Sequence, residues 1–177
     1  MNLQGRRALI TGGTKGIGAA IAVNLAEAGV DVAVNGRHLD NGAKEVLASI
    51  ENKGRKAVMV QGDMGEGAEV QRVVNEAAEK LAGLDILVHS AGGPSFGTID
   101  QIDFQQWRDT FAVHVDAAFH LCRAALPYLR TNDEAAILFI SSAAGIRGCP
   151  GAIAYGTVKG AISHFTRMLA RDLADDN

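Results

Sequence analysis

The sequence predicts an α/β fold, a doubly wound sheet of parallel strands, and three observations carry that prediction. Short β-branched and aliphatic runs recur at residues 8–10, 30–34, 56–60, 85–88 and 136–140. Each is followed by a stretch with apolar residues at three- and four-residue spacing, at 16–28, 41–52, 67–81, 103–129 and 154–173. The strand runs are continuous and not alternating, as burial on both faces requires, and strict strand–helix alternation implies right-handed crossovers and a parallel sheet.

Taken in order, the first run, "ALI", opens directly into a glycine-rich loop, "TGGTKGIG", and the first helix. The second run ends in "NGRHLD" and the third in "QGDMG", both turn-rich passages before a helix. The fourth run leads into "HSAGG", and the long helical stretch after it carries Pro127, which should kink it. Phe104 and Trp107, early in that stretch, read as packing anchors. The last helix buries one stripe, Val158, Ile162, Phe165 and Leu169. No repeat, low-complexity tract or linker divides the chain, so residues 1–177 are read as one domain.

Composition narrows the partners. Seventeen Lys and Arg face twenty Asp and Glu, a net charge of −3, and the basic residues are scattered, which argues against nucleic acid or an anionic membrane surface. No apolar run approaches the ~20 residues of a membrane span, and the N-terminus lacks the order of a signal peptide, so a soluble, cytoplasmic protein is expected. The two cysteines, Cys122 and Cys149, have no metal or disulfide spacing and read as reduced thiols.

In an open sheet of this kind ligands bind beyond the carboxyl ends of the strands. The first such loop has the chemistry for a dinucleotide: Gly12 permits a tight turn, Gly16 a close approach to a pyrophosphate, Gly18 packing of helix on strand, and the helix N-terminus offers amide donors. With Thr14, Lys15 and Ile17 it forms the candidate cofactor cradle. After the second strand, Arg37 stands where an acid would bind a ribose 2′-hydroxyl, and with Lys15 it favours a 2′-phosphate, hence NADP(H). Solvated surface charge is the plain alternative for both.

Later in the chain, Tyr155 and Lys159 lie four residues apart, so a helix puts them on one face. A lysine beside a tyrosine has the right charge to favour the phenolate, and a hydroxyl from Ser142 would help hold an oxygen where charge develops. Ser141, one residue nearer the strand, should point the other way.

"TGGTKGIG", "HSAGG" and "ISSAAG…YGTVK" together resemble the short-chain dehydrogenase/reductase family, with its Rossmann-like fold, over the whole chain. That resemblance implies hydride exchange between a nicotinamide and a ketone or secondary alcohol. Ser142 would hold the substrate oxygen, Tyr155 would exchange the proton, and Lys159 would hold the nicotinamide ribose. It further implies that Asp63 receives the adenine amino group while Met64 covers the ring edge, and that Ala91 and Gly92 pass close to the cofactor. A turn-forming Asp63 is an equally plain reading. The subgroup most resembled is the 3-oxoacyl-carrier-protein reductases; Arg130 and Arg171 would then face an acidic carrier, or simply cap helix ends in solvent. A homo-oligomer paired through the long helix and the last helix is implied as well.

Two departures from the family pattern bear on function. His114 occupies the place of an asparagine whose main-chain carbonyl belongs to the family's proton path, and a histidine keeps that path only if the backbone keeps its shape. His89 and Ser90 replace two further asparagines, and the expectation is that His89 and His114 repack as a pair. A metal site from these histidines is not expected, for want of a third ligand. The resemblance also implies two more strands and a substrate-covering segment, so the sheet is expected to lack the last two strands of the family fold. A chain that binds NADP(H) without turnover, or an inactive fragment, is the rival reading.

Overall fold

Each apolar run becomes a strand within two residues of its expected bounds: β1 (Arg7–Thr11), β2 (Asp31–Gly36), β3 (Ala57–Gln61), β4 (Ile86–His89) and β5 (Ala136–Phe139). In this computed structural model, which describes residues 2–176, all four strand pairings are parallel and the order is β3-β2-β1-β4-β5. The helices between them are α1 (Gly16–Glu27), α2 (Asn41–Glu51), α3 (Gly67–Leu81), α4 (Phe104–Phe111), α5 (Ala117–Leu129) and α6 (Ile153–Asp172).

Strand alternation sorts the side chains into two cores. Ala8 and Ile10 of β1 join Val32, Val34, Ala22 and Ile50 on one face of the sheet. Leu9 between them joins Ala33, Leu87, Val73, Leu81 and Leu121 on the other. Each fully buried Leu or Ile contributes about 1.5–3 kcal/mol relative to exposure, so the central strands β1, β2 and β4 are the firmest part of the fold. β3 and β5, at the two edges, are only partly covered.

At the amino ends of the strands a charge cluster pins β1 to β4. Asp85, 2% exposed in its side chain, receives Arg7 Nε at 2.7 Å and Arg6 Nη1 at 3.1 Å, and also the Arg7 amide at 2.9 Å. Burial pushes its carboxyl up, but the bonds from Arg7 and Arg6 outweigh that and hold it below the usual carboxylate range.

Two expectations change. The stretch 103–129 is not one α-helix: residues Ala112–Asp116 form a π-helical turn between α4 and α5, while Pro127 lies in the last turn of α5. The interruption therefore sits around His114 and not around the proline. Trp107 packs on Phe111 at 4.8 Å between ring centroids, yet Phe104 is 73% exposed and meets the Arg108 guanidinium, 6.0 Å from its ring centre, so it is not a core anchor.

The strand order reverses between β1 and β4, since the chain runs from β1 outward to β3 and then returns to the other side of β1. The crevice beyond the carboxyl ends of those two strands is where a ligand of this fold binds.

Candidate active site

One wall of the crevice is the β1–α1 loop. Gly12 has φ +62, and a Cβ there would stand 2.7 Å from the Cα of Ala91, so only glycine lets the loop lie against the β4 loop. A Cβ on Gly18 would meet the carbonyl oxygen of Gly12 at 2.3 Å. Gly18 thus serves packing of helix against loop, where the sequence suggested helix against strand. Gly16 has φ +56 and open space beyond it. No side chain caps α1, so its first amides are left for an outside acceptor. That uncapped, glycine-lined helix start fits a dinucleotide pyrophosphate. Thr14 is half-buried behind it, and Lys15 and Ile17 are exposed at its rim.

Beside it, Arg37 is exposed at the end of β2, its Nη1 3.9 Å from Asp63 Oδ2. Asp63 also receives the amide of Gly65 at 2.9 Å, so the turn-forming role is real and Arg37 shares the same carboxylate. Asn35 is structural: its Nδ2 donates to the carbonyls of Val60 and Gly62. Met64 corrects an expectation. It is 3% exposed and belongs to the core around Val70 and Val73, because its side chain points inward, so its thioether is not open to cover a ring.

The opposite wall comes from β5 and α6. Tyr155 and Lys159 share one face of α6, with the Lys159 ammonium 5.6 Å from the centre of the tyrosine ring. Lys159 is 7% exposed, burial lowers its pKa, and Nζ donates to the Ile140 carbonyl at 2.7 Å. The two serines part as expected. Ser141 Oγ is engaged with the Lys159 carbonyl at 3.0 Å and Ser163 Oγ at 2.8 Å. Ser142 opens the 3-10 turn Ala143–Gly145, its Oγ accepting from the Ala144 amide at a longer 3.2 Å. Gly145 lies so close to the Lys159 carbon that a Cβ would meet it at 2.5 Å, which fixes the serine turn against α6.

His114, 2% exposed, completes this wall. Its ring stands edge-on to Tyr155, centroids 6.0 Å apart at 73°, and Nε2 meets the Gly93 carbonyl at 3.1 Å. Gly92, at φ +108, is the space that admits it: a Cβ there would lie 2.2 Å from His114 Cε1. His89 touches the backbone of His114 and not its ring, Nε2 lying 3.3 Å from the His114 carbonyl oxygen. The contact between the two residues is thus ring to main chain, not the ring-on-ring repacking expected. Burial, then repulsion by His114 in its protonated form and by Lys159, brings His89 down from 6.5 to about 4. Burial and then Lys159 bring His114 to about 4 as well. Both rings are neutral at physiological pH.

Sequence reasoning missed Thr11. Its hydroxyl accepts the amides of Ser90 and Ala91 and contacts His89 Nδ1 at 2.8 Å, joining the two loops. Its place at the end of β1 was the only signal. Next to His114 a cleft of about 430 Å³ is lined by Gly93, Pro94, Ser95, Gln106, Thr110 and Val113. The Gly97 amide donates to the Gly151 carbonyl at 2.7 Å, tying the loop after β4 to the start of α6. Arg130 is committed to Asp176 at 2.7 Å, which leaves it less available to an outside acid. Among the described residues no helix is long and apolar enough to cross a membrane.

Comparison with known proteins agrees with this geometry. The family described as short chain dehydrogenase matches residues 6–177. Versicolorin reductase stcU of Emericella nidulans is 36% identical over 173 residues, covering 98% of this chain and 65% of the relative. A short chain dehydrogenase from Burkholderia cenocepacia, solved in complex with NADP, superposes with a TM-score of 0.94 at 37% identity, over 99% of this chain and 71% of that one. An NADH-dependent reductase responsible for alginate metabolism, A1-R′, gives a TM-score of 0.93 at 27% identity, over 98% and 74%. The chain spans 58–68% of the length of these curated relatives, and less than two thirds of versicolorin reductase stcU.

Proposed function

The chain belongs to the short chain dehydrogenase family, and from that premise we propose that it is an NADP(H)-dependent oxidoreductase acting between a ketone and a secondary alcohol. The observation that carries this reading is the Tyr155–Lys159 face of α6, with the lysine ammonium buried 5.6 Å from the tyrosine ring. The nicotinamide, when bound, supplies or takes the hydride. The chain's own residues do the rest. Ser142 directs its hydroxyl at the substrate oxygen, and Tyr155 gives the proton to that oxygen in reduction or takes it in oxidation. Lys159, tethered at Ile140, stabilises the phenolate left behind. The uncapped start of α1 and the loop of Gly12, Gly16 and Gly18 would hold the pyrophosphate, and Ala91 and Gly92 would let the cofactor pass.

NADP(H) over NAD(H) rests on exposed Arg37 and Lys15, and on Asn35 and Gly36 ending β2 where an acid would repel a 2′-phosphate, with Arg37 held only loosely by Asp63 at 3.9 Å. The related structures include one in complex with NADP and one described as NADH-dependent, so the preference rests on this chain's own residues. A 3-oxoacyl thioester stays among the substrates to screen. A homo-oligomer through α4, α5 and α6 is supported by exposed Phe104, Phe119 and Met168.

The test is a fluorescence titration with NADPH and NADH, followed by turnover of a carbonyl panel by the wild type and by Tyr155→Phe. Saturable binding that favours NADPH, with turnover lost in the variant, supports the proposal. Binding with no turnover difference supports instead a cofactor-binding protein without catalysis, the reading that His114 in the asparagine place favours. No binding of either nucleotide rejects both.

A further inference from the structure

The chemistry proposed above has no use for His89, an imidazole only 4% exposed at the carboxyl end of β4. Its hydrogen bonds settle where its proton sits. Thr11 Oγ1 accepts from the Ala91 amide at 3.2 Å and shares the Ser90 amide, also at 3.2 Å, with the Thr11 carbonyl, so its lone pairs face N–H donors and its own proton is left for another acceptor. Its single proton then goes to His89 Nδ1, 2.8 Å away, and Nδ1 must be the acceptor. The ring proton is therefore on Nε2, facing the carbonyl oxygen of His114 at 3.3 Å, a group that can only accept.

That carbonyl belongs to the π-helical turn Ala112–Asp116, where the regular i→i−4 bonding is set aside. The rest of His114 is held from two sides: Nε2 donates to the Gly93 carbonyl, and Gly92 leaves no room for the ring to shift toward the loop. Its free edge rests on Tyr155. A chain of contacts thus runs from the first residue of the cofactor loop to the side of the tyrosine.

We propose that His89 is a positioning residue for Tyr155: locked by Thr11 with its proton on Nε2, it holds the His114 carbonyl in the π-turn and so sets the imidazole wall against the tyrosine ring. The proposal rests on the reading of Tyr155 as the proton-exchanging group. A glutamine at position 89 can reproduce both contacts, its carbonyl accepting from Thr11 and its amide donating to His114. A leucine can reproduce neither.

The chain has two tyrosines, so nuclear magnetic resonance of ¹³C-tyrosine protein reads Tyr155 with Tyr128 as an internal control. In the wild type, ¹⁵N spectra of the histidines should place the His89 proton on Nε2, and a ring-to-ring Overhauser contact should join His114 and Tyr155. In His89→Leu the Tyr155 ring signals move and that contact disappears while Tyr128 stays. His89→Gln restores both. With NADPH and 9,10-phenanthrenequinone as the carbonyl probe, kcat should fall roughly tenfold in His89→Leu, as loss of positioning does, with NADPH affinity within about twofold. A His89 proton on Nδ1 overturns the proposal even if the leucine variant does not fold. So do unchanged Tyr155 signals, equal effects of Leu and Gln, or both tyrosines moving together. If Tyr155→Phe keeps turnover, the proposed chemistry fails separately, and the spectra still decide the positioning.

Discussion

Acid should weaken this protein through His89 well before the carboxylates titrate. The unfolded chain binds the proton near the ordinary value of 6.5, whereas the folded ring, buried and close to His114 and Lys159, binds it only at about 4. A group depressed in this way leaves stability intact above the unfolded value and drains it as pH falls toward the folded value. Each pH unit inside that window costs about 1.4 kcal/mol, so moving from about pH 7.5 to about pH 5 should remove ~2 kcal/mol through His89. Structurally, a second proton on the ring would turn Nδ1 into a donor against the Thr11 hydroxyl, which already receives two amides. The assay is urea unfolding at both pH values for the wild type and His89→Gln, comparing the change with pH and not the absolute stability. His114 titrates in the same direction but remains in both proteins. The variant should lose ~2 kcal/mol less than the wild type over the interval. An identical loss in the two proteins would refute the argument.

Three other outcomes follow from the geometry. Replacing Arg37 by Ala should weaken NADPH about tenfold, roughly the value of one charge-assisted hydrogen bond, and change NADH little, as read by the same titrations. Gly92→Ala should cost about 1–3 kcal/mol in urea unfolding and displace the His114 ring, since its Cβ would lie 2.2 Å from Cε1 at a φ of +108. Iodoacetamide at mild alkaline pH should alkylate Cys149 and spare Cys122 in the native protein, because Cys149 is exposed and burial pushes the Cys122 thiol up to about 12; mass spectrometry after urea should then show both labelled.

What could be read from the sequence was what is local. The central strands announce themselves because both their faces are covered, the partly covered edge strands β3 and β5 through the same aliphatic runs, and the glycine loop and the Tyr155–Lys159 pair are each contiguous in the chain. Ser142 was separable from Ser141 by strand alternation alone. The π-turn at Ala112–Asp116 had no local signature: "AVHVD" is unremarkable as helix, and the turn is met by His89 from another strand. Met64 was misjudged for the same reason, since the residue after Asp63 faces the core laid down by α3. Thr11 escaped notice because its partners lie 78 to 80 positions away.

The placement of β1 at the centre of the sheet has a consequence for how the molecule comes into being. Residues up to 61 can assemble β1, β2 and β3 through neighbouring crossovers, but the other side of β1 stays bare until β4, ending at His89, is synthesised and docks. Non-local pairing of this sort is the slow part of folding. The crevice between β1 and β4 is then a seam closed late, and the Thr11–His89 contact is its stitch. During synthesis the amides of the glycine loop exist before the crevice does, so its two walls face each other only after the second half of the sheet has joined the first.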